Sequence, residues 1–231
     1  MATVLITGAN RGLGLEFSKQ YAEAGWQVIA CCRQPARATA LNALAEKFPT
    51  LQVEALDVAQ FEQIDSLAQR LANTAIDIVI NNAGIYEDKP SRDFGNLDYQ
   101  AWAYTLLVNT QAPVKVTEAL LNSLKLGNKK LIVTISSLMG SITDNTSGGS
   151  LFYRSSKAAI NAAMKSLAIT LRHQAIGVLT LHPGWVRTDM GGPNALISAE
   201  ESVMKMREVI EKFNREQSGS FIKYDGTLLP W

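Results

Sequence analysis

ATVLITGANRGLG, residues 2–14, sets the architecture by the order of its parts. Residues 2–7 form an apolar run without alternation, which reads as a strand buried on both faces. Gly8, Gly12 and Gly14 follow, and an amphipathic pattern over 12–24 reads as a helix. Glycines at such a junction permit a tight turn and let a ligand approach the backbone. Unpaired N–H groups and the helix dipole then favour an anion at the helix N-terminus. The spacing here is G-x-x-x-G-x-G rather than the G-x-G-x-x-G of the better-known dinucleotide turn. A glycine-rich turn alone is weak evidence for a nucleotide. Its place between a first strand and a first helix is what gives it weight.

The same alternation continues outward along the chain. Apolar runs at 26–32, 51–58, 76–84, 130–137, 176–184 and 219–226 read as further strands. Helical patterns cover 60–72, 98–123 and 151–174, and one after strand two has Pro35 at its first position. Ser198 and Glu201 are spaced as a capping box that opens another helix. All-apolar strands alternating with helices predict a parallel sheet covered on both faces, with right-handed crossovers. The expectation is a single Rossmann-type, doubly wound α/β domain over residues 1–231, with about seven strands and both cofactor and substrate sites.

Composition narrows the class of function. Hydrophobic residues make up 47% and charged residues 19%, values ordinary for a soluble globular protein. A net charge of +1 argues against a nucleic-acid partner or an anionic membrane surface. No apolar run is long enough to span a bilayer, and the first residues lack a signal-peptide pattern. Cys31 and Cys32 are adjacent and do not suit an ordinary disulfide, which fits a reducing cytoplasm. His173 and His182 are the only histidines, so no metal site is expected and both read as structural.

Sheets of this kind bind ligands beyond the carboxyl ends of their strands. After strand two, where NAD enzymes carry an acid for the ribose 2′-hydroxyl, Cys32 and Arg33 stand instead. Arg11 lies inside the glycine turn. Surface arginines are usually just solvated, but two guanidinium groups at this point suit a 2′-phosphate, so NADP(H) is preferred and NAD(H) comes second. Asp57 follows strand three, and NNAG (81–84) follows strand four. Asn109 interrupts the apolar stretch TLLVNTQAPV, either as a satisfied core amide or at a functional kink near Pro113. Ser136 and Ser137 end strand five, and Tyr153 and Lys157 of YRSSK share one helix face. Each residue alone reads as structural. Together they put a hydroxyl, a phenol, an ammonium and an amide around one crevice, which is a proton-transfer set.

TGANRGLG, NNAG, Asn109, the serine before LMG, YRSSK and HPGWVRTD (182–189) together resemble the short-chain dehydrogenase/reductase family, in family order over nearly the whole chain. HPGWVRTDMGGPNA and YDGTLLPW are most similar to its carbonyl-reductase branch, with sniffer-type and C-factor-like proteins. The resemblance implies NADPH-dependent reduction of an aldehyde or ketone by hydride transfer, with Tyr153 as general acid–base. Lys157 would depress the Tyr153 pKa and hold the nicotinamide ribose, Ser137 rather than Ser136 would orient the carbonyl, and Asn109 would hold a relay water. Implied cofactor contacts are Gly8, Asn10, Arg11, Gly12, Leu13 and Gly14 in the turn, then Arg33, with Asp57 and Val58 at the adenine. Asn82, Ala83 and Gly84 would line the middle of the cofactor, and Pro183, Gly184, Val186 and Thr188 its nicotinamide end. The C-factor likeness leaves an alternative, a nucleotide-binding signalling protein in which turnover is secondary.

Two segments bear on the substrate. The stretch between Ser137 and Tyr153 is longer than is common in that family, and reads as a flexible pocket wall. The stretch after Thr188 is short, which suggests an open pocket. The family tends to pair through its two long helices, here about 98–123 and 153–174, and AAINAAM after Lys157 allows close approach. A homodimer or homotetramer is therefore expected.

Overall fold

The computed structural model describes residues 1–231. Seven strands form one sheet: β1 (Thr3–Thr7), β2 (Gln27–Cys32), β3 (Leu51–Ala55), β4 (Ile78–Asn81), β5 (Leu131–Ile135), β6 (Gly177–His182) and β7 (Ser220–Lys223). Their order is β3-β2-β1-β4-β5-β6-β7, and every pairing is parallel. The chain winds outward from β1 to β3, returns to pair β4 with β1, and then winds the other way. The β1/β4 junction is thus the switch in strand order where a ligand crevice opens.

Eight α-helices cover the two faces: α1 (Gly12–Glu23), α2 (Thr39–Lys47), α3 (Phe61–Arg70), α4 (Tyr99–Leu106), α5 (Ala112–Ala119), α6 (Leu121–Leu126), α7 (Leu151–Leu171) and α8 (Ala199–Glu211). Successive strand residues point to opposite faces, so a strand covered on both sides must be apolar throughout. In β1, Val4 and Ile6 join a core with Phe17 of α1 and Met206 of α8. Leu5, between them, joins the opposite core with Ile160 and Met164 of α7. The edge strand β3 lacks that double cover: Leu51 is buried but Gln52 is exposed.

Three of the expected helices come out differently. The helix after β2 is broken into a 3₁₀ turn, Pro35–Arg37, and α2, with non-helical Ala38 between them. The single helix expected over 98–123 is α4, a π-helical turn at Leu107–Gln111, then α5 and α6. Pro113 has no N–H to offer the carbonyl of Asn109 four residues earlier, and its ring crowds that carbonyl, so the helix widens there. At α8 only half of the capping box forms. Ser198 Oγ accepts from the Glu201 N–H at 3.0 Å, while the Glu201 carboxylate pairs with Lys205 at 3.0 Å instead of reaching back.

Candidate active site

The crevice is built around Gly8, whose φ of +67° lies in the left-handed region that glycine tolerates. A Cβ on Gly8 would stand 2.9 Å from the Cα of Ala83, so the turn after β1 presses directly on the turn after β4. Hydrogen bonds lock the two together. Thr7 Oγ1 accepts from the N–H groups of Asn82 and Ala83, both at 3.0 Å. Asn82 Nδ2 donates to the carbonyls of Thr7 (2.8 Å) and Gly8 (3.2 Å). Gly14 lies beneath, where a Cβ would collide with the Gly8 carbonyl, so it serves helix–strand packing.

From this junction a cleft of about 1220 Å³, its open mouth included, runs along the strand ends. Gly8, Asn10, Arg11, Gly12 and Leu13 line it from the first turn. Arg33, Asp57 and Val58 line it beyond β2 and β3, and Asn82, Ala83 and Gly84 beyond β4. Tyr153, Lys157, Pro183 and Thr188 complete the far end. Gly184 and Val186 stand behind the lining. A Cβ on Gly184 would meet the Tyr224 ring at 2.8 Å, and Val186 is buried in a bridge to Ile197.

The far end holds the titratable groups. Burial pushes the Tyr153 phenol up to about 12, a rise offset in part by the Ser137 hydroxyl facing it and increased by Tyr86. Burial lowers the Lys157 ammonium to about 8. Its Nζ donates to the Ile135 carbonyl at 2.9 Å and stands 5.6 Å from the centre of the Tyr153 ring. Loss of solvent at the phenol is the largest effect on it, and Lys157 is not among the groups that shift it in this structure, so the expected depression by Lys157 does not register. Ser136 lines the cleft but spends its hydroxyl on Asn161 Oδ1 at 2.6 Å, while Ser137, outside the lining, faces Tyr153.

A sequence profile described as short chain dehydrogenase matches residues 2–196. The chain belongs to the short-chain dehydrogenase family. Among solved structures, it superposes on the carbonyl reductase Sniffer of D. melanogaster with a TM-score of 0.93, at 35% identity and over 100% of both chains. It superposes equally on an NADPH-bound carbonyl reductase from chicken fatty liver, with a TM-score of 0.93, 34% identity and coverage of 100% of this chain and 99% of that one. The C-signal protein of Myxococcus xanthus is 41% identical over 166 residues, which is 72% of this chain and 99% of that protein.

Other residues of this short-chain dehydrogenase stand apart from the expected contacts. Asn109 is 1% exposed, and its amide is spent on the protein: Oδ1 accepts from the Ile85 N–H at 2.9 Å, and Nδ2 donates to the Ile85 carbonyl at 2.9 Å and to Ser156 Oγ at 3.0 Å. Arg11 pairs with Asp189 at 2.8 Å across the mouth, both side chains largely exposed, while Arg33 makes no ion pair. Asp57 turns one carboxylate oxygen onto the Ala59 N–H at 3.0 Å. His182 ends β6, where burial lowers its pKa to about 4 and keeps it neutral. No cluster of three or more His, Cys, Asp and Glu side chains is arranged to hold a metal, and no helix is long and apolar enough to cross a membrane.

The wall after Ser137 is tied at both ends. Ser141 Oγ and the Thr143 N–H donate to the Trp231 carbonyl at 3.1 and 3.0 Å, and the Trp231 ring stacks on Phe221. Arg154 donates to the Gly148 carbonyl and to Ser147 Oγ, at 3.1 and 2.9 Å. Sequence reasoning assigned nothing to the loop after β4 beyond Gly84. The Tyr86 ring lies 5.0 Å from that of Tyr153, and Asp88 reaches the start of α7. An isolated acid in a polar loop gives no pattern that would single it out.

Proposed function

We propose that this short-chain dehydrogenase reduces aldehydes or ketones to alcohols with NADP(H), NAD(H) serving less well. The observation that carries the reading is the convergence of Tyr153 and Lys157 at one end of a cleft that begins at the glycine turn, with the Ser137 hydroxyl facing the Tyr153 phenol. The residues present suit a dinucleotide. Gly8 and Gly12 leave backbone bare at the helix N-terminus. At Gly84 even a Cβ would come within 3.3 Å of Asn109 Oδ1 and 3.7 Å of Lys157 Nζ. Arg33, free of ion pairs, and Arg11 would hold a 2′-phosphate.

A bound NADPH supplies the hydride. The protein's own part is the proton. Tyr153, a phenol already neutral at physiological pH and held more firmly so by burial, has a proton to give to the carbonyl oxygen. Ser137 donates a hydrogen bond to the oxygen as negative charge grows there. Lys157, charged below about pH 8, stabilises the phenolate left behind. The whole chain, 1–231, acts as one unit carrying both sites, in a cytoplasm whose reducing conditions suit the free thiols of Cys31 and Cys32. It pairs into a homodimer or homotetramer through the outer faces of α4 and α7, where Tyr99 and Ile169 are exposed.

The likeness to the C-signal protein favours a second reading, a nucleotide-binding regulator for which turnover is secondary. One experiment addresses the first reading: NADPH is mixed with the protein and a panel of aldehydes, ketones and quinones while nicotinamide absorbance is followed. Saturable, protein-dependent oxidation of NADPH supports the reductase. Tight NADPH binding without turnover on any of them sinks it in favour of the regulator.

A further inference from the structure

The helix carrying Tyr153 and Lys157 begins without a cap of its own. Ser150, the residue before α7, has a left-handed backbone (φ +46°), and its hydroxyl caps none of the helix N–H groups. That hydroxyl instead shares a 2.7 Å hydrogen bond with the Tyr86 phenol. An α-helix leaves its first N–H groups unpaired, and leaving them so beside a buried phenol is costly. Here two of them are satisfied from elsewhere in the chain. One oxygen of Asp88 accepts from the Phe152 N–H at 2.9 Å, and the other accepts from the Tyr153 N–H at 2.8 Å.

We propose that Asp88 is a positioning residue for Tyr153, a cap supplied by a different loop that sets where the phenol stands in the cleft. Three features support this. The contact is bidentate and made to the backbone of Tyr153 itself, so displacement of Asp88 moves the side chain's point of attachment. A carboxylate at a helix N-terminus gains from the dipole as well as from two charge-assisted bonds. The stretch leading into it is held at two points, at Ile85 by Asn109 and at Glu87 by Arg92, whose guanidinium contacts the Glu87 carboxylate at 3.0 Å and carbonyl at 3.1 Å. The Tyr86 ring, two residues before Asp88, lies against Tyr153, so one short loop fixes both the base and one side of the phenol. Small displacements of a catalytic group are costly to rate, which is where such a brace acts.

The inference rests on Tyr153 being the proton donor, and the test separates the two ideas. Asp88→Ala and the milder Asp88→Asn are compared with the parent by amide hydrogen exchange of the protein alone, by NADPH titration, and by steady-state kinetics on an accepted carbonyl. Exchange at the Phe152 and Tyr153 amides should quicken at least tenfold in Asp88→Ala. The kcat should fall by roughly ten- to a hundredfold with NADPH affinity unchanged. Asp88→Asn, keeping one acceptor oxygen, should fall between. Unchanged exchange at those two amides, or a kcat equal to the parent's, overturns the proposal. So does a parallel loss of kcat and NADPH affinity, since that is general damage rather than misplacement. Failure of the reductase reading would show differently, as normal turnover in Tyr153→Phe.

Discussion

Asn109 grips Ile85 from both sides, its Oδ1 taking the Ile85 N–H and its Nδ2 giving to the Ile85 carbonyl, each at 2.9 Å. The same Nδ2 donates to Ser156, whose hydroxyl donates onward to the Tyr153 carbonyl at 2.8 Å. One amide thereby joins the loop after β4, the π-helical turn and α7. Replacement by alanine strands buried polar groups at roughly 1–3 kcal/mol. Asn109→Ala should lower the melting temperature by roughly 2–10 °C, read by calorimetry, and should lower kcat as well. A variant that melts like the parent would show that the grip contributes nothing.

Tyr153→Phe removes the phenolic proton and leaves the ring in place. Turnover should drop by roughly 10²–10⁴, the range for loss of a general acid. NADPH affinity, followed by fluorescence titration, should hold within about twofold. Near-parental turnover would remove the phenol from the chemistry.

Arg33 carries the cofactor preference in the proposed site. Arg33→Ala should raise the KM for NADPH by roughly 10–100-fold, the worth of a charge-assisted bond, and leave that for NADH almost unmoved. Arg11→Ala should do the same more weakly, since Arg11 already spends its charge on Asp189. Equal losses for the two cofactors would exclude a phosphate clamp.

Acidity sets a further expectation. Burial lowers Lys157 to about 8, so its ammonium is charged below that pH and lost above it. Tyr153, raised to about 12, keeps its proton throughout the same range. The kcat for carbonyl reduction should therefore be level near neutrality and decline through a midpoint near pH 8. In Lys157→Arg, whose guanidinium stays charged, any remaining activity should lose that decline. A midpoint that stays near 8 in the variant would assign it to another group.

The strands and the cleft could be read from the sequence because their signals are local. An apolar run such as VLI between glycine and solvent-facing helices has one comfortable place, the middle of a covered sheet. Residues at strand ends then converge by topology alone, and this is why Gly8, Asn82, Tyr153 and Thr188 could be grouped before any coordinates. What escaped was set by contacts between distant segments. The break at Ala38 and the half-formed box at Ser198 depend on what each side chain meets in three dimensions. Likewise, nothing around Asp88 in the chain announces that its carboxylate reaches α7, more than sixty residues away. The upward shift of Tyr153 was out of sight for a related reason. A neighbouring lysine is visible as i+4 spacing, whereas the depth of burial is not.

The bond from Ser141 and Thr143 to Trp231 has an evolutionary side. It couples the wall beside Tyr153 to a tail that touches neither the glycine turn nor Lys157. Across a lineage, side-chain changes at Leu228–Trp231 would leave both bonds standing, because Trp231 accepts through its backbone carbonyl.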